Sequence, residues 1–359
     1  TQAKTLFPYT TLFRSDEGQR FSDAPRKGAG RGPAFWTDGD ETRVMSITPG
    51  FHLVSLDAKT GLPDPNFGEN GIVDLMDGLR NADDFEDVDI GASAPPFVMN
   101  DVIVVGPAHR VGMRPRSKSN VKGDVRGYDA RTGEHLWTFK TIPERGEVGI
   151  ETWLDEGVDF TGNAGVWAPM SGDPELGLVY LPVESATGDR YGGDRPGDNL
   201  FANALVAVDV KTGERRWHYQ IIHHDIWDWD NPAAPILADL PDGKKIVMQV
   251  TKQSWVYTFD RETGEPVWPI EERPVPAGDV PGEWYSPTQP FPTNPPAFDR
   301  QGITEDDLID FTPALRAEAL EAIKPFRMGT NVYAPPSLAK AADGTTGTLS
   351  LPSATGGAN

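Results

Sequence analysis

Residues 221–235 read IIHHDIWDWDNPAAP, a segment with unusual chemical density: two adjacent imidazoles, three carboxylates and two indoles. Groups of this kind crowded together tune one another's proton affinity and hold flat ligands. His223 and His224 suggest a metal. Adjacent residues of an extended chain point to opposite faces, however, so the pair does not readily grip one ion. The expected division is one packed histidine and one bonded to an aspartate, His224 being the better placed for chemistry. Asp225 is the first candidate for a proton acceptor, provided a substrate hydroxyl reaches it. The plain alternative is a loop aspartate that caps a turn, and Asp228 and Asp230, close enough in sequence to be confused with Asp225, are left as structural alternates.

The remaining 359-residue composition narrows what such a site can serve. A net charge of -21 argues against nucleic acid and anionic membrane surfaces, both of which reward Lys and Arg. The absence of cysteine excludes disulfides, thiolate metal sites and Cys nucleophiles. It also excludes a CxxCH haem-attachment motif within this chain. No apolar run is long enough to span a bilayer. Thr5–Ser15, TLFPYTTLFRS, matches one reading frame of a common sequencing adapter, so residues 1–15 are set aside as non-native. Residues 16–359 are then expected to be part of a larger domain, cut at both ends.

Short β-type runs must position the central segment. RVMSIT, FHLVSLD, DVIVVG, LGLVYLPV, ALVAVDV, KIVMQVT and WVYTFD are rich in Val, Ile and Tyr and are separated by turn residues. A helical pattern is expected only after Gln301, where Thr304 with Asp307 makes a capping box and Thr312-Pro313 opens a segment stopped by Pro325. A repeat runs through the strands. Asp57-Ala-Lys-Thr-Gly61 recurs as Asp129–Trp137, DARTGEHLW, as Asp209–Trp217, DVKTGERRW, and as Asp260–Trp268, DRETGEPVW. Each unit reads as a hairpin whose glycine supplies a positive φ and whose tryptophan docks on a neighbouring sheet. Trp137, Trp217 and Trp268 are therefore expected in the core. Radial repetition of such sheets is a β-propeller, an all-β fold, here with a short helical insertion.

The AxDxxTGExxW repeat resembles the tryptophan-docking motif of quinoprotein dehydrogenases that use pyrroloquinoline quinone (PQQ). The likeness to the membrane-type glucose dehydrogenases of that family extends through Gly165–Met170, GVWAPM, Leu176–Pro182, LGLVYLP, His223–Asp228, HHDIWD, Lys252–Arg261, KQSWVYTFDR, and Pro287–Phe291, PTQPF. The resemblance implies an eight-bladed propeller, present here in part, with PQQ near its axis and calcium or magnesium beside it. It implies oxidation of an aldose or alcohol by hydride transfer to the quinone, with electrons leaving to an external quinone or cytochrome. It further implies a periplasmic protein, possibly membrane-associated through segments outside this chain. By resemblance Asp225 is the base, His224 a residue near the quinone, Lys252 the cation on its oxygens and Trp167 the aromatic floor. Asp225 and Glu184 are the metal-ligand candidates. Strand alternation is expected to put Lys252, Ser254 and Val256 on one face and Gln253, Trp255 and Tyr257 on the other. The competing reading is a non-catalytic propeller that binds partner proteins, which would keep the tryptophans and lose HHDIWDWD and Lys252.

Overall fold

A computed structural model describes residues 16–27, 31–86, 88–110 and 117–354, so the adapter-like residues 1–15 lie outside it. Three four-stranded antiparallel sheets and one three-stranded sheet follow one another along the chain. The first comprises Ala34–Thr37, Thr42–Ile47, His52–Asp57 and Ile72–Asp74. The second comprises Phe97–Met99, Val102–Val105, Val125–Asp129 and His135–Phe139. The third comprises Ser171–Asp173, Leu178–Pro182, Ala204–Asp209 and Arg215–Gln220, and the fourth Ile236–Asp239, Lys245–Val250 and Val256–Asp260. Strands neighbouring in sequence pair within each sheet.

Side-chain alternation stacks these sheets into layers. In the third sheet Val179, Leu181, Val206 and Val208 join a core with Trp137 and Phe139 of the second. The intervening Leu178, Tyr180, Leu205 and Ala207 join Val247, Tyr257 and Phe259 of the fourth. Both faces are therefore buried, and these strands read as continuous apolar runs. First and second sheets share Met45, Leu53, Ile103 and Tyr128.

The repeat forms the hairpins its sequence predicts. Asp129 Oδ1 accepts from the amides of Arg131 and Thr132 at 2.8 and 2.7 Å, closing a turn whose Gly133 has φ 75°. Asp209 does the same for Lys211 and Thr212, with Gly213 at φ 71°. Trp137 and Trp217 then dock on the next unit's turn. The Trp137 Nε1–H donates to Val210 O at 2.9 Å, and its ring lies where a Cβ on Gly213 would stand 2.6 Å away. Trp217 repeats the contact with Arg261 O and Gly264.

Three details depart from expectation. Trp268 is 40% exposed rather than core, because among the described residues no following turn lies on its ring. Residues 251–255 are a tight connection, with Ser254 at φ 70°, so strand alternation does not carry through Lys252. Short helices also occur at Gly18–Asp23 and Gly157–Phe160, before the expected insertion. In that insertion the Thr304–Asp307 box caps a single 3-10 turn. Thr312 Oγ1 accepts from Leu315 N at 3.2 Å to start the Pro313–Ile323 helix, which lies on the surface. No helix among the described residues is long and apolar enough to cross a membrane.

Candidate active site

In a four-stranded meander, the connection between the second and third strands emerges at the same end as the connection to the next sheet. The Asp-x-x-Thr-Gly turns lie at the opposite end. The candidate residues occupy the shared end: Trp167 precedes the third sheet, Glu184 follows its second strand, and Asp225–Asp230 link the third sheet to the fourth. Lys252 joins the second and third strands of the fourth. Function thus sits on loops held by a rigid frame.

These loops enclose a cleft of about 740 Å³, lined by Arg31, His109, Trp167, Glu184, Ser185, Asp228, Asp230 and Lys252, among others. Lys252 is 5% exposed. Its Nζ donates to Asp230 Oδ2 at 2.9 Å and to Asp228 O at 2.8 Å, and stands 3.4 Å from Asp228 Oδ1. Burial disfavours the ammonium, but Asp230 and Asp228 outweigh it and raise its pKa. The two carboxyls diverge. Burial and the charge of Asp230 push Asp228 up to about 8. Asp230 is also opposed by burial, yet Lys252 and the Ser185 amide hold it below the ordinary carboxylate range. One site therefore contains an ionised carboxylate and a carboxyl poised to exchange its proton near neutrality.

Trp167 supplies an aromatic wall. The Lys252 Nζ is 5.9 Å and the Arg31 guanidinium carbon 5.1 Å from its ring centroid. Arg26 and Arg110 also line the cleft, Arg26 donating to His109 O at 2.6 Å and Arg110 pairing with Asp89 at 3.0 Å. A flat indole flanked by two cations, in a chain of net charge -21, fits a planar anion. PQQ, a tricyclic tricarboxylate, has that shape and charge.

The other expected residues sit elsewhere. Asp225 is 2% exposed and is not among the residues lining the cleft. Its Oδ1 accepts from Trp227 N at 2.9 Å. Its Oδ2 accepts from the Ser185 hydroxyl, from Asn203 Nδ2 at 3.2 Å and from Trp229 N at 2.8 Å. Those donors tie the carboxylate to the loop backbone. His224 does not line the cleft either. Its Nδ1 meets Gly197 O at 2.9 Å and its Nε2 meets Glu283 Oε1 at 3.0 Å, while burial draws its pKa down. Neither histidine bonds the Asp225 carboxylate: His223 contacts Gln220 and Glu272. The connecting residue that sequence reasoning missed is Arg195. Fully buried, it donates to Thr187 O, Gly188 O and Asp225 O and to Asn199 Oδ1, and so staples the two loops together. Nothing in its local sequence, GGDRPGD, signals that role.

Glu184 does line the cleft, with Oε1 accepting from Gly165 N and facing His109 Nδ1, both at 3.0 Å. Among the described residues no group of three His, Asp or Glu side chains is arranged to hold a metal ion. With Asp225 filled by N–H and O–H donors and Glu184 facing His109, the two carboxylates expected as ligands do not fit a calcium or magnesium centre.

Consecutive antiparallel sheets locked by docked tryptophans, with a cationic, indole-walled cleft on one set of connections, define a propeller-type ligand-binding protein. The chain belongs to the PQQ family described as glucose/ethanol/alcohol dehydrogenase, beta-propeller domain, whose model matches residues 10–359. It is 33% identical to the glycerol dehydrogenase large subunit of Gluconobacter oxydans (strain 621H), over 92% of this chain and 45% of that protein. It is likewise 33% identical to the quinoprotein glucose dehydrogenase of Escherichia coli (strain K12), over 72% of this chain and 32% of that one. Among solved structures, a quinohemoprotein alcohol dehydrogenase from Pseudomonas putida HK5 aligns with TM-score 0.54 and 31% identity, covering 70% of this chain and 36% of that chain. The chain thus spans less than half the length of these relatives.

Proposed function

We propose that this chain forms the substrate-facing part of a PQQ-dependent dehydrogenase that oxidises a CH–OH group of a small sugar, polyol or alcohol. The observation that carries the reading is the Lys252–Asp230–Asp228 cluster beside the Trp167 ring in one cleft. When bound, PQQ supplies the hydride acceptor. Trp167 gives its planar body a stacking surface, and Arg26, Arg31 and Arg110 place positive charge toward its carboxylates. Asp228, rather than Asp225, takes the hydroxyl proton. It lines the cleft, and its carboxyl releases and binds a proton near pH 8, whereas the Asp225 oxygens are occupied by four donors. Asp230 stays ionised and anchors Lys252, whose ammonium would stabilise negative charge on an acceptor held beside Trp167. His224 contributes from behind this wall by fixing the loop to Glu283. Electrons then pass to an external quinone or cytochrome, and the setting is the periplasm, as for the membrane-type enzymes the sequence resembles.

The protein-binding scaffold reading does not account for a buried lysine and two carboxyls facing a cleft. The deciding experiment is reconstitution with PQQ and an assay with a dye acceptor across aldoses, polyols, alcohols and hydroxy acids. Dye reduction by at least one class, abolished without PQQ, is the expected result. Bound PQQ with no dye reduction by any class would refute the dehydrogenase reading.

A further inference from the structure

Two carboxyls of the cleft, Glu184 and Asp230, already have side-chain partners from the chain itself. The His109 ring is 1% exposed and the Glu184 side chain 7%. The His109 Nε2 lies 3.1 Å from Val121 O, a group that can only accept, so Nε2 carries a proton. The Nδ1 lies 3.0 Å from Glu184 Oε1, which also accepts from Gly165 N. A second proton must therefore lie between ring and carboxyl, so His109 occupies the same Glu184 oxygen that accepts from Gly165 N. Lys252 answers Asp230 in the same way at 2.9 Å, while the other Asp230 oxygen accepts from Ser185 N. Asp189, which also lines the cleft, is itself engaged. Asp228 is left as a single carboxyl, and one ligand does not make a cation site.

We propose that His109 and Lys252 stand against the Glu184 and Asp230 carboxyls in place of an ion, so that the anionic quinone is held without a divalent metal. The proposal rests on the PQQ reading above and departs from the metal that the family resemblance implies. Buried carboxylates without a counter-charge are strongly unfavourable. An ion or a hydrogen-bonding side chain can meet that requirement, and here Glu184 and Asp230 each have the side chain. Glu184 is also held at both ends of its contact with Gly165: its amide donates to Gly165 O at 2.9 Å while Oε1 accepts from Gly165 N. The His109–Glu184 pair thereby fixes the backbone two residues before Trp167. His109 acts as a positioning residue, through Glu184, on the aromatic wall.

The test measures PQQ binding by equilibrium dialysis on the full chain, in EDTA and then with calcium or magnesium. The wild type is expected to bind with the same Kd in all three conditions, within about twofold. Weakening by about tenfold or more in EDTA, restored by either metal, would overturn the proposal. The His109→Ser variant frees Glu184, and its affinity should drop in EDTA and recover with calcium. The double variant His109→Ser/Glu184→Gln should drop without recovery, and calcium rescue of the double variant would count against the proposal. Thermal melts need no quinone. Calcium, against sodium chloride of matched ionic strength, should raise the Tm of His109→Ser but not of the wild type. A calcium-dependent Tm in the wild type would sink the idea even if His109→Ser does not fold. Absence of PQQ binding in every condition would refute the dehydrogenase reading instead, leaving the melts to decide the metal question.

Discussion

Asp228 and Asp230 carry the same carboxyl group two positions apart and hold it in opposite protonation states. The difference lies in their partners: Lys252 and the Ser185 amide face Asp230, whereas half-buried Asp228 stands beside the negative charge they stabilise. Which aspartate of HHDIWDWD faces the cleft was not legible in the sequence. His224 and Asp228 both have positive φ, 50° and 60°, so the segment coils and no period-two rule sorts its side chains. Trp167 and Lys252, by contrast, were singled out by the family resemblance, and both line the cleft. Asp228→Asn should lower turnover by about 10²–10⁴ with little change in PQQ affinity, and dialysis beside a dye assay separates the two. The wild-type rate should climb as pH rises toward about 8, because the ionised form is the base. Stability runs the other way. Between 3.8, the ordinary value, and about 8, native Asp228 keeps a proton that the unfolded chain has lost, so its contribution falls as pH rises through that window. Melts of wild type and Asp228→Asn from pH 5 to pH 8 (about one unit apart) should therefore converge at the acid end and separate in favour of the variant toward pH 8. A pH-independent difference would show that Asp228 does not hold that proton.

Turn chemistry made the frame readable at the level of single elements. An aspartate closing its own loop and a glycine three residues beyond the next position are local requirements, so the hairpins, and with them the strand order, follow from sequence alone. What a docked tryptophan meets is not local. Trp137 and Trp217 find the next unit's glycine, and Trp268, in the same motif, is left 40% exposed. The connection carrying Lys252 was misjudged for a similar reason. Its apolar neighbours suit a strand, but Ser254 N bonding to Thr251 O turns the chain instead. Glycine substitutions separate the backbone part of a turn from its docking part. Gly213 and Gly243 both have positive φ, 71° and 85°, but a Cβ on Gly213 would meet the Trp137 ring at 2.6 Å, whereas nothing lies within 4 Å of one on Gly243. Gly243→Ala should cost about 1 kcal/mol in denaturant unfolding, the strain alone. Gly213→Ala should cost about 1–3 kcal/mol more, because the indole must move. Equal losses would show that docking contributes nothing at this joint.

Across the whole molecule the docking contacts run in one direction, from each sheet to its successor, and couple neighbours only. The third sheet receives Trp137 from the second and sends Trp217 to the fourth, and both faces of its central strands are buried. The outer strand Ile236–Asp239 buries none of its residues, and Ile270–Pro274 is mostly exposed. Protection of backbone amides reports how much structure must open before exchange, so stability should be graded along the chain. Hydrogen exchange is expected to be slowest at Leu178–Pro182 and Ala204–Asp209 and faster by orders of magnitude at Ile270–Pro274. Trp217→Ala removes the hydrogen bond to Arg261 O and the ring that Tyr180 and Phe259 pack against at 5.8 and 5.9 Å. Protection should then fall by about 3 kcal/mol or more at Lys245–Val250 and Val256–Asp260 while the first sheet is unchanged, since the loss is a buried aromatic at a single joint. Because Lys252 lies between those two strands and Asp230 lies before them, the same variant should also weaken PQQ binding without touching the cleft. A uniform loss of protection across all four sheets would mean that the array opens as one unit, and the nearest-neighbour picture of its coupling would be wrong.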